Sequence, residues 1–216
     1  MIRHHPDEAM LMAHTAGTLA SAASLLVSTH LENCACCKAA LRVFEEVAAT
    51  LLLSESPSAL PVGLFERVVA RTESAMPRTR VLKVKPRPPL PSGMEWPRSL
   101  RHAHVSRWWW MGPGVRWARV RLPYDPAASL FMFRIGAGKC LPTHTHASQE
   151  LTQVLYGAFD DGRAVFGPGD FDAADDEVHH QPVVLAGGEC ICLAALDGRV
   201  VFDSLLAQWA GSAIGL

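Results

Sequence analysis

Apolar residues in the first third of the chain recur at three- and four-residue steps. Leu41, Phe44, Val47 and Leu51 mark one face of a helix that begins near Cys37, and Leu64, Phe65, Val68 and Val69 mark the buried side of another over 62–74. Upstream, His5-Pro6-Asp7-Glu8 reads as a helix start, because proline suits the first helical position and acids suit the positive end of the helix dipole. Gly17 ends that helix and Ser21 caps the next, which carries Leu25 and Leu26. Residues 1–76 thus predict a four-helix region. From about 105 the pattern changes to short apolar segments between Gly, Pro and Asp, such as "VRWARVRL", "LFMFRI", "CICLAAL" and "RVVFDSL". Many short strands at regular spacing predict an antiparallel sandwich or barrel over 105–216. Between the two, 77–104 holds Pro77, Pro86, Pro88, Pro89, Pro91 and Pro97, with five basic residues from Arg78 to Arg87, and predicts an extended, solvated linker. The fold class is therefore α+β, with two domains: helices first, an antiparallel β-barrel second.

Composition narrows the function classes. The chain has 216 residues, 49% hydrophobic and 19% charged, with a net charge of −1, which argues against a polyanion binder. No apolar run is long enough to cross a membrane, and "MIRHHPDEAM" is too polar for a secretory signal, so a cytoplasmic location and reduced cysteines are expected. The ten histidines fall mostly in close pairs: His4/His5, His102/His104, His144/His146 and His179/His180. With six cysteines and many carboxylates nearby, metal sites are the first chemistry to consider.

The densest candidate is "HLENCACCKA", residues 30–39. His30, Cys34 and Cys37 stand at i, i+4 and i+7 and would share one helix face. Cys36 would lie about 200° around the helix from Cys34, out of reach. Imidazole and thiolate suit Zn²⁺ in a closed tetrahedral shell, which needs a fourth ligand; His4, His5 and His14 are the candidates. His5 is attractive because it would sit at a helix N-cap. The stretch "RHHPDEAMLMAHTAGTLASAASLLVSTHLENCACCKA" resembles the zinc-binding anti-sigma domain of the ChrR family. That resemblance implies the set His5, His30, Cys34 and Cys37.

In the second half, Gly138-x5-His144-x-His146-x3-Glu150-x6-Gly157 resembles the first cupin motif over its whole length. His144 and His146, two apart on a strand, point to the same face. Two imidazoles and a carboxylate suit Zn, Fe, Mn or Ni. The fourth cupin ligand is a histidine from a later strand. Here "GPGD" (167–170) is followed by His179 and His180, at a spacing longer than the family's and without its asparagine. Adjacent strand residues face opposite ways, so only one of the pair points inward, and likeness to the ChrR family favours His180. Cys190 and Cys192 share a strand face, as redox-responsive thiols near the metal or as small core residues. Trp108–Trp110 predict one or two rings at the barrel edge or against the helices.

Both halves, in this order, resemble ChrR-type anti-sigma factors, except over about 77–120. The resemblance implies a non-enzymatic regulator. Its zinc-bound helices would hold an extracytoplasmic-function sigma factor one-to-one, and its cupin domain, with Zn²⁺ or another divalent transition metal, would sense singlet oxygen or organic hydroperoxide and trigger release. The physics agrees with a structural first metal: about 75 residues of helix have a small core, and four protein ligands leave no open position. The alternative is a metal-dependent, dioxygenase-like cupin enzyme with an accessory zinc module. Direct DNA binding has no basic recognition helix to support it.

Overall fold

A computed structural model of the chain describes residues 1–74 and 86–204. Arg78, Arg80, Lys83 and Lys85 of the basic run lie outside the described residues.

Four helices come first: α1 (Glu8–Thr15), α2 (Ser21–Leu31), α3 (Ala35–Ser54) and α4 (Leu64–Ser74). The start of α1 differs slightly from the sequence reading. Asp7, not His5, is the N-cap; its Oδ1 accepts from the Met10 N–H at 2.6 Å. Gly17, at φ +69°, terminates this segment as a left-handed residue should. Ser21 is the first residue of α2, whose cap is Ala20 and makes no side-chain hydrogen bond.

After a short 3₁₀ turn (Arg98–His102) come twelve strands: β1 (His104–Val105), β2 (Trp109–Gly112), β3 (Val115–Leu122), β4 (Asp125–Ile135), β5 (His144–His146), β6 (Glu150–Tyr156), β7 (Phe159–Asp160), β8 (Val165–Phe166), β9 (Phe171–Ala174), β10 (Val183–Val184), β11 (Cys190–Leu196) and β12 (Val200–Phe202). All pairings are antiparallel. The main sheet runs β1-β3-β4-β11-β6-β9, with β2 also on β3; β10-β7-β8 and β12-β5 form the facing side. No helix among the described residues is long and apolar enough to cross a membrane.

The main sheet is buried on both faces, which explains the unbroken apolar run "CICLAAL". From β11, Ile191, Leu193 and Ala195 join Leu130 and Met132 of β4 in one core with Leu25, Leu26 and Val27 of α2. The alternate residues Cys190, Cys192, Ala194 and Leu196 line the barrel interior with Phe131, Phe133 and Ile135. The helices therefore rest on the barrel wall and share its outer core.

The proline-rich stretch from residue 86 also packs. Leu100 is fully buried, Trp96 and Leu90 lie against the outer core, and Arg87 stacks on Trp96 while donating to the Leu100 carbonyl. The Glu32 carboxylate accepts from the Arg98 and Ser99 amides, tying this stretch to the end of α2. Of the three tryptophans, Trp108 packs on the outer core and donates to the Pro89 carbonyl; Trp109 and Trp110 are exposed, the former under Arg107.

One predicted burial is overturned. Phe65 and Val68, predicted on the buried side of α4, are more than half exposed, as are Val47 and Leu51 of α3, and Leu52, Leu53, Leu60 and Val62 are all above 70%. The periodicity marks an apolar face correctly, but among the described residues this chain supplies nothing to cover it.

Candidate metal centres

His5, His30, Cys34 and Cys37 converge beside the outer core. His5 precedes α1, His30 closes α2, and the two cysteines open α3. The single-helix reading of residues 30–37 does not hold. The helix breaks after Leu31, and Cys34, with φ −93° and ψ 106°, is the N-cap of α3; its sulfur lies 3.4 Å from the Cys37 N–H it accepts. The break brings ligands from three segments to one point, where a continuous helix would have aligned only two or three. Cys36 is exposed, pointing away. His14 bonds Ser24, and His4 stacks on Phe166, so neither joins the cluster.

The cluster's distances suit a cation. His5 Nδ1 is 3.4 Å from His30 Nε2, 3.3 Å from Cys34 Sγ and 3.4 Å from Cys37 Sγ, and His30 Nε2 is 3.3 Å from Cys37 Sγ. One ring nitrogen carries at most one proton and cannot serve three neighbours at once. A tetrahedral shell with bonds of ~2.0–2.3 Å spaces its donors about 3.3–3.8 Å apart, and the observed separations lie at the short end of that range. Burial and the neighbouring Cys34 push the Cys37 thiol up to about 12, so metal binding here must expel a proton. Burial likewise lowers His30 and keeps it neutral, the form that ligates.

Inside the barrel, β5 places His144 and His146 on the inward face, both almost fully buried. His180 joins them through an antiparallel bridge to His144, and its Nε2 lies 3.3 Å from His146 Nε2. His179 turns outward to Asp203 at 3.0 Å. Glu150 flanks the three rings, its Oε2 3.3 Å from His146 Nδ1 and 3.9 Å from His144 Nε2. The Nδ1–H of His144 donates to the Pro142 carbonyl at 2.7 Å, which leaves Nε2 free for a metal. Three imidazoles with a carboxylate fit a divalent transition ion.

Electrostatics sharpen this site. Burial opposes charge on Glu150, but the His144 and His146 rings outweigh it and hold the carboxyl low. Burial, with His144 beside it, lowers His180 from 6.5 to about 4. The unfolded chain takes up this proton near 6.5 and the folded chain only near 4, so the stability is present in full above 6.5 and lost as pH falls to about 4. In chelator, that loss is expected to reach about 3 kcal/mol. Buried Asp172, raised to about 6, works oppositely as pH rises, so the check is a difference profile. Urea midpoints of the wild type minus those of His180→Gln between pH 4 and 7 should carry the slope.

The sequence reading missed three residues beside His180. Asp161 Oδ2 lies 3.6 Å from His180 Nδ1, beyond hydrogen-bond reach, and Arg163 bridges Asp161 to Asp172, donating to Asp172 at 2.8 and 2.9 Å. Asp161, Asp172 and His180 could also gather a metal by spacing, but the Arg163 guanidinium already pairs with both carboxylates. No motif joins these three: Asp161 and Arg163 sit in the turn between β7 and β8, and Asp172 lies in β9. Cys190 and Cys192, 3.5 Å apart, line the same small cavity as Glu150 and His180.

Residues 97–198 match the family model described as the ChrR cupin-like domain. The chain is 39% identical over 208 residues to the anti-sigma-E factor ChrR of Cereibacter sphaeroides, covering 96% of this chain and 95% of the relative. It superposes on the crystal structure of Rhodobacter sphaeroides SigE in complex with the anti-sigma ChrR with a TM-score of 0.74 and 35% identity, over 91% of this chain and 100% of that one. The match runs through both the helical cluster and the barrel, and the chain belongs to the ChrR family of anti-sigma factors.

Proposed function

We propose that this chain binds an extracytoplasmic-function sigma factor one-to-one in the cytoplasm, holds it inactive, and releases it on oxidative stress, either singlet oxygen or an organic hydroperoxide. The helices, about 1–76, form the grip; 77–104 connects; the barrel, 105–216, senses. His5, His30, Cys34 and Cys37 hold a structural Zn²⁺. His144, His146, Glu150 and His180 hold Zn²⁺ or another divalent transition ion.

The observation that carries the inhibitory role is the uncovered apolar face of α3 and α4. Leu52 is 74% exposed, Leu53 85% and Phe65 77%. Large apolar side chains exposed in this number mark a protein–protein site. The crystallised relative is in complex with a sigma factor, which supports the same class of partner here.

The barrel geometry supports sensing over turnover. Its interior cavities beside Glu150 measure about 30 and 20 Å³. Such spaces hold a water or a diatomic, whereas organic substrates need roughly 300–1,000 Å³. A diatomic such as singlet oxygen reaching this space would meet the metal ligands and the paired thiols Cys190 and Cys192 together, whereas an organic hydroperoxide would have to act from the rim of these cavities.

Co-expression with a sigma factor should yield a complex of one copy of each by light scattering. Leu52→Asp with Phe65→Asp buries two charges in the interface and is expected to weaken binding by more than ~100-fold, with barrel metal content unchanged. Undiminished binding by this double variant would remove α3 and α4 as the grip.

A further inference from the structure

The turn 167–171 belongs to the barrel, yet three of its polar groups bond His30 and the N-terminal segment beside it. Gly169 O accepts from His30 Nδ1 at 2.9 Å, so the ring's other nitrogen, Nε2, faces the cluster with its lone pair. Asp170 is 4% exposed and accepts at Oδ1 from the Arg3 amide at 2.6 Å and the His4 amide at 3.0 Å. Its Oδ2 accepts from the Gly167 amide at 2.8 Å, which closes the turn on itself. The Phe171 N–H donates back to the His4 carbonyl at 3.1 Å. Gly169 has φ +90°, and a Cβ there would come within 2.7 Å of Ile2, so both the conformation and the close approach need glycine. Rings seal the contact: His4 on Phe166 at 4.5 Å and His30 on Phe171 at 6.0 Å.

Two of the four cluster residues are therefore placed by the barrel. His30 is oriented directly by a barrel carbonyl. His5 is held by the preceding residues Arg3 and His4, whose amides Asp170 pins. By contrast Cys34 and Cys37 are set by α3 alone. The same turn leads straight into β9, where Asp172 pairs with Arg163 and Ala174 stands opposite Glu150.

We infer that the barrel turn 167–171 is the outer shell of the helical metal centre, with Asp170 as a positioning residue that sets His5 and His30 for the ion. The two centres are then coupled through one short segment: whatever displaces β9 loosens two of four ligands of the helical ion. This rests on the reading of His5, His30, Cys34 and Cys37 as a metal site, and the test separates the two.

The probe is Co²⁺ titrated into the full chain against a competing chelator. Thiolate-to-cobalt absorption reports the helical site alone, because the barrel site has no thiolate among its candidate ligands. Outer-shell groups typically contribute 10–100-fold to metal affinity. Asp170→Ala should lose affinity in that range at the thiolate band and leave the barrel's cobalt signal unchanged. Asp170→Asn, which keeps an acceptor for the Arg3 and His4 amides, should recover most of it. Equal thiolate-band affinity in Asp170→Ala and wild type overturns the inference while the metal site stands. A wild type with no thiolate band overturns the metal site and the inference with it. Should Asp170→Ala misfold and lose both signals, the wild-type Zn²⁺ form decides. The His30 Nδ1–H is expected to exchange slowly by ¹⁵N-edited NMR, and exchange as fast as a free imidazole overturns the shell.

Discussion

Cys34→Ala is expected to release the helical metal, unravel α1 and α3 and reduce sigma-factor affinity by more than ~1,000-fold, which is over ~4 kcal/mol. The size follows from what the cluster joins. His5 lies ahead of α1, His30 ends α2, and Cys34 and Cys37 open α3, so the ion replaces tertiary core between three short helices. That core is thin: in α3 only Cys37 is buried, and in α1 only Met10 and Leu11. Structural zinc in small domains contributes roughly 10–16 kcal/mol of apparent binding energy, against total domain stabilities of about 5–15 kcal/mol. Losing one thiolate also removes the cap of α3, since the Cys34 sulfur accepts from the Cys37 amide. Hydrogen exchange should show α1 and α3 deprotected, while α2, packed on the barrel wall, and β4 and β11, buried on both faces, stay protected. Cys36→Ser is the matched control and should keep the metal, because Cys36 is exposed and outside the cluster. If Cys34→Ala binds the sigma factor as tightly as wild type, the ion does not hold the grip in shape.

The residues of both clusters were legible because metal chemistry restricts residue type and spacing, and both restrictions survive in one dimension. The local geometry around Cys34 was not. "HLENCACC" is composed of residues that permit a helix throughout, and nothing in it signals a cap, because the capping group is a thiolate-type sulfur where serine or aspartate is usual. The strands read well wherever burial is complete on both faces, as in "CICLAAL". The apolar face of α4 was read as buried because periodicity reports that a face is apolar and says nothing of which molecule covers it. Asp161, Arg163 and Asp172 carried no signal, since a charged trio becomes recognisable only once β9 lies beside the turn between β7 and β8. The same holds for Asp170 and Arg3, 167 positions apart in the chain.

Replacing His144 and His146 with alanine is expected to leave sigma-factor binding near wild type and abolish release by oxidant, so reporter induction stays at its unstressed level. The helical grip keeps its own ligands and its apolar face, and neither histidine touches them. The barrel loses two of the three converging imidazoles, and with them any ion they hold. This substitution has a structural cost that must be separated from its effect on sensing. The Glu150 side chain, 14% exposed, is kept ionised by these two rings. Without them a buried carboxylate is left unpaired, at a cost of roughly 3–5 kcal/mol. Glu150→Gln is therefore the companion variant. It removes the charge, keeps His144, His146 and His180, and should blunt release without that penalty. Loss of release in both variants, with the barrel still protected from exchange, places the sensor at this site. Constitutive release would mean the reverse: an intact barrel centre is then needed for inhibition, and the path from β9 through the turn 167–171 to His30 is how its failure would reach the grip.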